Sequence, residues 1–273
     1  MTIALIIVAV IAIAYGGILF LLWRMQERIV FQPPPNPEPF GGDVRRLEYV
    51  SRDGIRLAAY VVEPDRPGGD IVLAFHGNAM IARWMIPWAR EVAGRFGVRV
   101  VLPEYRGYDG LAGVPTYQGA ALDAEAALAA TCRQFGVSAA DVIYYGHSLG
   151  TAIAGELATL AEPRALILES PLSSAKDMAA RWPVAGLRLF WSRISRVHYD
   201  TVTRVSGIDS VVHVAHGERD IIIPSRMGQT VHAAARRPGT LLMVPEAGHN
   251  DVAVVGSEAY WRWFGEALHG RSR

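Results

Sequence analysis

A chain of 273 residues with a formal net charge of +1 holds one large domain and an appendage. The near-neutral balance gives no electrostatic footing for nucleic acid, and the single Cys132 excludes an internal disulfide. No clustered Cys/His/carboxylate spacing suggests a metal, and no G-x-G-x-x-G follows an expected strand, so neither metal nor cofactor is expected.

The first segment, Thr2 to Trp23, has no charged residue and consists mainly of Ile, Leu, Val and Ala. As a helix it reaches about 33 Å, enough for a hydrocarbon core. A cleaved leader is the competing reading, since Ala12-Ile13-Ala14 mimics a cleavage site. Against it stand the missing basic n-region and an apolar run that continues well past that point. Residues 1–30 are therefore expected to form a single-pass transmembrane anchor in the cell membrane. Arg24 and Arg28 follow the span, with Arg45 and Arg46 further on, so the positive-inside tendency puts the rest on the cytoplasmic side. The anchor is expected to tether the domain and nothing more. Residues 31–44 contain Pro33, Pro34, Pro35, Pro37 and Pro39 and read as a stiff linker; residues 45–273 form the remaining domain.

Arg45–Ser51 and Ile55–Val62 flank Asp53-Gly54, a hairpin signal. Ile71–Phe75 is a continuous apolar run, as in a buried parallel strand. Ala79–Phe96 reads as a helix with a kink at Pro87. Val98–Leu102 is a strand, Tyr117–Phe135 a helix and Val142–Tyr145 a strand, followed by a helix from Leu149 to Leu160. Strands at Ala165–Leu168, Val211–Ala215 and Leu241–Val244 and helices at Ser225–Ala235 and Val252–Leu268 complete the alternation. This is an α/β pattern, a doubly wound, mainly parallel sheet with an antiparallel hairpin at its start. The chemistry of such sheets lies beyond the carboxyl ends of the strands.

Gly146-His147-Ser148-Leu149-Gly150 lies between one strand and the next helix. A serine in so tight a turn is strained, with its hydroxyl pushed into the open and the helix amino end nearby. Serine needs a base, and histidine titrates in the right range. Histidine in turn needs a carboxylate to fix its tautomer. In chain order the strand ends offer Ser148, then Asp220, then His249, with Glu169 as a rival acid. His147 reads as structural; His198, His213, His216 and His232 have no partner pattern. The backbone N–H after the nucleophile, that of Leu149, is one oxyanion donor.

His76-Gly77-Asn78, Arg106-Gly107-Tyr108, the G-H-S-L-G turn, His216-Gly217-Glu218-Arg219-Asp220 and Ala247-Gly248-His249-Asn250 occur in that order. In this series the chain resembles the α/β-hydrolase superfamily from about Arg45 to Leu268. It is most similar to small, N-terminally membrane-anchored serine hydrolases, a group that includes thioesterases removing palmitate from proteins. The resemblance implies Asp220 as the acid, Asn78 as the second oxyanion donor, and His76 and Gly77 as scaffolding. Tyr108-Asp109-Gly110-Leu111 departs from the small, serine-containing continuation of that motif, which bears on one pocket wall.

Residues 171–207 are too long for a simple loop and read as a lid. Six basic residues there face only Asp177 and Asp200. On a helical wheel Val184, Leu187, Phe190, Trp191, Ile194 and Val197 share one face, while Arg188, Arg193 and Arg196 occupy the other. Two readings remain open: a cover with its apolar face over the pocket, or a basic amphipathic helix resting on anionic lipid. The expected function is hydrolysis of a carboxylic ester or thioester through a Ser-His-Asp triad and an acyl-enzyme. The partners would be a small-molecule or lipidated-protein acyl substrate and the bilayer. The alternatives are a serine aminopeptidase-like hydrolase, which needs a carboxylate at the pocket mouth, and a non-catalytic binding module.

Overall fold

The structure, a computed structural model, describes residues 2–35, 42–65, 69–184 and 186–269. Residues 36–41 of the proline-rich linker lie outside the described residues.

Helix α1 (Thr2–Val30) comes first. Eight strands follow: β1 (Arg45–Val50), β2 (Arg56–Val62), β3 (Ile71–Phe75), β4 (Arg99–Pro103), β5 (Val142–His147), β6 (Ala165–Glu169), β7 (Val211–Gly217) and β8 (Pro238–Val244). They form one sheet in the order β1-β2-β4-β3-β5-β6-β7-β8. β1–β2 and β2–β4 are antiparallel, and every other pair is parallel. β3, β5 and β6 are buried on both sides, so β3 is apolar throughout and β5 and β6 turn polar only at their carboxyl ends, His147 and Glu169. In β3, Leu73 and Phe75 enter one core and Val72 and Ala74 the other.

Helices α3 (Tyr117–Phe135), α4 (Leu149–Leu160) and α8 (Ser225–Ala234) cover one face. α2 (Ile86–Phe96) and α9 (Val252–His269) cover the other. The ends of α3 follow from local chemistry. The Thr116 side chain accepts from the Gly119 N–H at 2.9 Å, and Gly136 closes the helix at φ 68°. The helix expected from Ala79 starts later, as a 3₁₀ turn at Ala82–Met85 leading into α2. Pro87 lies in the first turn of α2, where its missing N–H costs nothing, so it starts the helix instead of kinking it.

Between β6 and β7 lie three short helices, α5 (Ala175–Ala179), α6 (Leu187–Ile194) and α7 (Thr201–Ser206). The helix wheeled out to Val197 stops at Ile194, because Ser195 turns extended and Val197 is buried separately.

Candidate active site

β5 runs into α4 through Ser148, held at φ 53° and ψ −118°. The two glycines make this turn possible. A Cβ on Gly146 would lie 2.4 Å from the Gly150 carbonyl oxygen, and one on Gly150 would lie 2.1 Å from that of Phe75. The strain leaves Ser148 standing above the ends of β3, β5 and β6, with the N–H of its own residue donating to the Glu169 carbonyl at 3.0 Å.

His249, after β8, and Asp220, after β7, meet it there. His249 Nδ1 donates to Asp220 Oδ2 at 2.6 Å, which leaves Nε2 free to accept from Ser148 Oγ at 2.8 Å. All three residues are buried. Asp220 Oδ1 accepts the N–H groups of Ile222 and Ile223, each at 2.8 Å. Burial alone would raise this carboxyl; the hydrogen bonds from His216, His249 and the Ile223 N–H outweigh it and hold it well below the usual carboxylate range.

His216 had no partner pattern in the sequence, yet it belongs to this network. Its Nε2 faces Asp220 Oδ2 at 3.1 Å and the Ile223 carbonyl at 2.9 Å, so that nitrogen carries the proton. The available signal was its place at the head of the loop that ends in Asp220. Glu169, the rival acid, is engaged elsewhere: its Oε2 accepts from the hydroxyls of Tyr145 (2.9 Å) and Tyr260 (2.7 Å). His147 Nε2 donates to the His249 carbonyl at 3.1 Å, and burial pushes its imidazole below the ordinary range. Glu218 is exposed, and Arg219 pairs with Glu246 instead of with it.

Asn78 and Leu149 border the same cavity as Ser148. The Asn78 loop is braced from several sides. Its Oδ1 accepts from the Gln32 N–H at 2.8 Å and from the Tyr108 hydroxyl at 3.1 Å. Behind it, His76 Nε2 meets Glu104 Oε1 at 2.8 Å, and Gly77 is packed so closely that a Cβ would lie 3.2 Å from that of Ser148. The divergent segment after Tyr108 points away from the cavity: Asp109 pairs with Arg83 at 3.1 Å and accepts from the Tyr60 hydroxyl at 2.8 Å.

The cavity has a volume of about 350 Å³. Among the described residues its lining has no charged side chain; Met178, Trp182, Leu187 and Trp191 of the lid region face Leu149 and Ile223. α1 also enters it, with Leu22, Ile29 and Val30. This corrects the expectation that the first helix only tethers: its uniformly apolar sequence hid a carboxyl end that packs onto the domain. Arg196, which one of the two lid readings turned toward anionic lipid, is held by α1, its guanidinium 4.9 Å over the Trp23 ring and donating to the carbonyls of Trp23 and Arg24. Among the described residues, no group of three or more His, Cys, Asp or Glu could hold a metal.

A serine on a strained strand-to-helix turn, with histidine and carboxylate on later strand ends of a sheet in this order, defines the α/β-hydrolase class of architecture. No family model matches the chain. It is 34% identical over 254 residues to the uncharacterized protein Rv2307c of Mycobacterium tuberculosis, covering 91% of this chain and 89% of that one. It is 30% identical over 207 residues to human alpha/beta hydrolase domain-containing protein 17B, covering 74% and 68%. The fold is similar to that of the Pyrococcus furiosus esterase Pf2001, with a TM-score of 0.69, 18% identity, and 88% and 96% of the two chains covered. The chain belongs to the α/β-hydrolase superfamily.

Proposed function

We propose that the protein is a membrane-anchored serine hydrolase that cleaves carboxylic esters or thioesters of lipidic acyl groups. The observation that carries this reading is the continuous line Asp220–His249–Ser148, ending at an uncharged cavity of about 350 Å³. His249 Nε2 takes the Ser148 proton as Oγ attacks the carbonyl carbon. The negative charge moves to the carbonyl oxygen, which the N–H groups of Leu149 and Asn78 stabilise. The tetrahedral adduct collapses, the carbon–oxygen or carbon–sulfur bond breaks, and the His249 proton goes to the leaving group. Water, deprotonated by the same nitrogen, then releases the acid and restores Ser148. Asp220 holds His249 in the required tautomer and stabilises its charged form.

The lining supports an acyl chain over an amino terminus, which would need a carboxylate near the mouth. α1 is long and apolar enough to cross a membrane, and its first two-thirds expose Ile3, Leu5, Ile11 and Phe20. We read it as the anchor, with the domain on the cytoplasmic side because Arg24 and Arg28 follow the span. A panel of p-nitrophenyl esters and acyl-CoA thioesters of graded length tests the reading. Turnover that rises with chain length supports it; hydrolysis of amino-acyl amides in preference to every ester contradicts it.

A further inference from the structure

We propose that the carboxyl end of α1 is a part of the substrate site: Leu22, Ile29 and Val30 form a wall of the acyl cavity and set the acyl length that the enzyme accepts. This rests on the reading of that cavity as an acyl site.

α1 changes character along its length. Up to Phe20 its large side chains are exposed except the half-buried Leu19, whereas Gln26 and, just past the helix, Phe31 are buried. Gln26 is the joint. Its amide oxygen accepts from the Arg196 N–H at 2.7 Å and the Ser195 hydroxyl at 3.0 Å, and its amide nitrogen donates to the Trp23 carbonyl at 2.9 Å. A buried amide is tolerated when its hydrogen bonds are made, and here they clamp the helix onto the segment just after α6. Trp23 Nε1 adds a bond to the Ile194 carbonyl at 3.0 Å. Further on, the Glu27 carboxylate accepts from the Tyr117 N–H at 3.2 Å. A simple tether requires none of these contacts.

The placement orders the wall by distance from the nucleophile. Ile29 lies one turn before Gln32, whose N–H bonds Asn78 beside Ser148. Leu22 lies at the far end, against Leu187 and Trp191. Leu22 is also the last apolar residue before Trp23 and Arg24, a pair suited to the membrane surface. The lid extends further along the apolar run, since a Cβ on Gly186, just before α6, would lie 3.4 Å from the Tyr15 hydroxyl. Tyr15 is about 10 Å further along the helix axis than Leu22. The wall is thus continuous with the apolar run of the same helix.

The test uses the full chain in lipid nanodiscs, comparing wild type with Leu22→Trp, Ile29→Trp and Ile11→Trp, the last on the exposed part of the same helix. The readout is the ratio of kcat/KM for palmitoyl to that for butyryl p-nitrophenyl ester within each protein, so a general loss of active enzyme cancels. Each methylene excluded from an apolar pocket is worth roughly fourfold, so exclusion of two lowers the ratio by about tenfold or more. Both wall variants should show this, with Ile29→Trp cutting off at a shorter chain than Leu22→Trp, and Ile11→Trp should keep the wild-type ratio. Wild-type ratios in both wall variants overturn the proposal. If wild type hydrolyses no ester or thioester, the hydrolase reading fails by itself, and the wall is judged by photolabelling with a chain-diazirine palmitate. Label within residues 22–32 that is competed by palmitate and lost in Ile29→Trp supports the wall; absence of label there overturns it.

Discussion

Ser148, Asp220 and His249 come from three loops, the first and last of them 101 residues apart in the chain, and their contacts separate cleanly in the geometry. Asp220 is the member with the most partners, so its removal should be costly. Asp220→Asn keeps the shape but cannot stabilise the imidazolium, and kcat should fall by about 10⁴. Glu169→Gln, whose carboxylate accepts from the Tyr145 and Tyr260 hydroxyls and not from His249, should cost far less; steady-state kinetics of the two variants give the comparison. His216→Phe deprives Asp220 of one donor while leaving His249 and both backbone N–H groups, so a loss of about ten- to a hundredfold in kcat is expected. Away from the site, burial pushes the His213 imidazole down to about 4, with His232 adding to the effect. Its unfolded value is about 6.5, so the unfolded chain binds a proton that the folded one does not between these limits. Stability from this residue is complete above that window and is lost as pH falls through it, by roughly 3 kcal/mol. Thermal melts from pH 7 to 4 should therefore fall less steeply in His213→Gln than in wild type.

Legibility differed from one element to the next. α3 could be read to the residue because a threonine cap, an alanine-rich interior and a terminal glycine agree. β8 extends three residues earlier than its apolar run, since Pro238 and Gly239 are poor strand signals that edge pairing with β7 tolerates. The lid is the reverse case: its apolar wheel was visible, but the break at Ser195 and the capture of Arg196 by α1 depend on tertiary contacts. α1 itself was legible as a long apolar helix and illegible as part of a cavity lining, because lipid and a protein cavity select the same apolar residues. Removal of residues 1–41 tests that element. It uncovers the Phe31 site, opens the cavity and withdraws the Gln32 bond from Asn78. The truncated domain should melt at least about 5 °C below the full chain, since losing one buried aromatic is worth roughly 2–3 kcal/mol. Its kcat for short esters should be lower by about tenfold; a truncated domain with full-chain stability and turnover would restore the tether reading.

At the scale of the molecule, the alternation of strands and helices was enough to expect a doubly wound sheet, and motif order was enough to assign the candidate residues to its carboxyl edge. The strand order was not legible, because the reversal that brings β3 between β4 and β5 rests on pairings distant in the chain. Nor was the partnership of the two ends of the chain's architecture: an amino-terminal helix closes a cavity whose other wall is an insertion nearly 170 residues later. The serine mechanism is the claim on which the rest depends. Full-length protein and Ser148→Ala, prepared identically and checked for equal thermal stability, should be exposed to a fluorophosphonate probe and the adduct mapped by mass spectrometry. Stoichiometric phosphonylation of Ser148 in wild type and none in Ser148→Ala is the expected result; comparable labelling of the two proteins, or none in folded wild type, would contradict it.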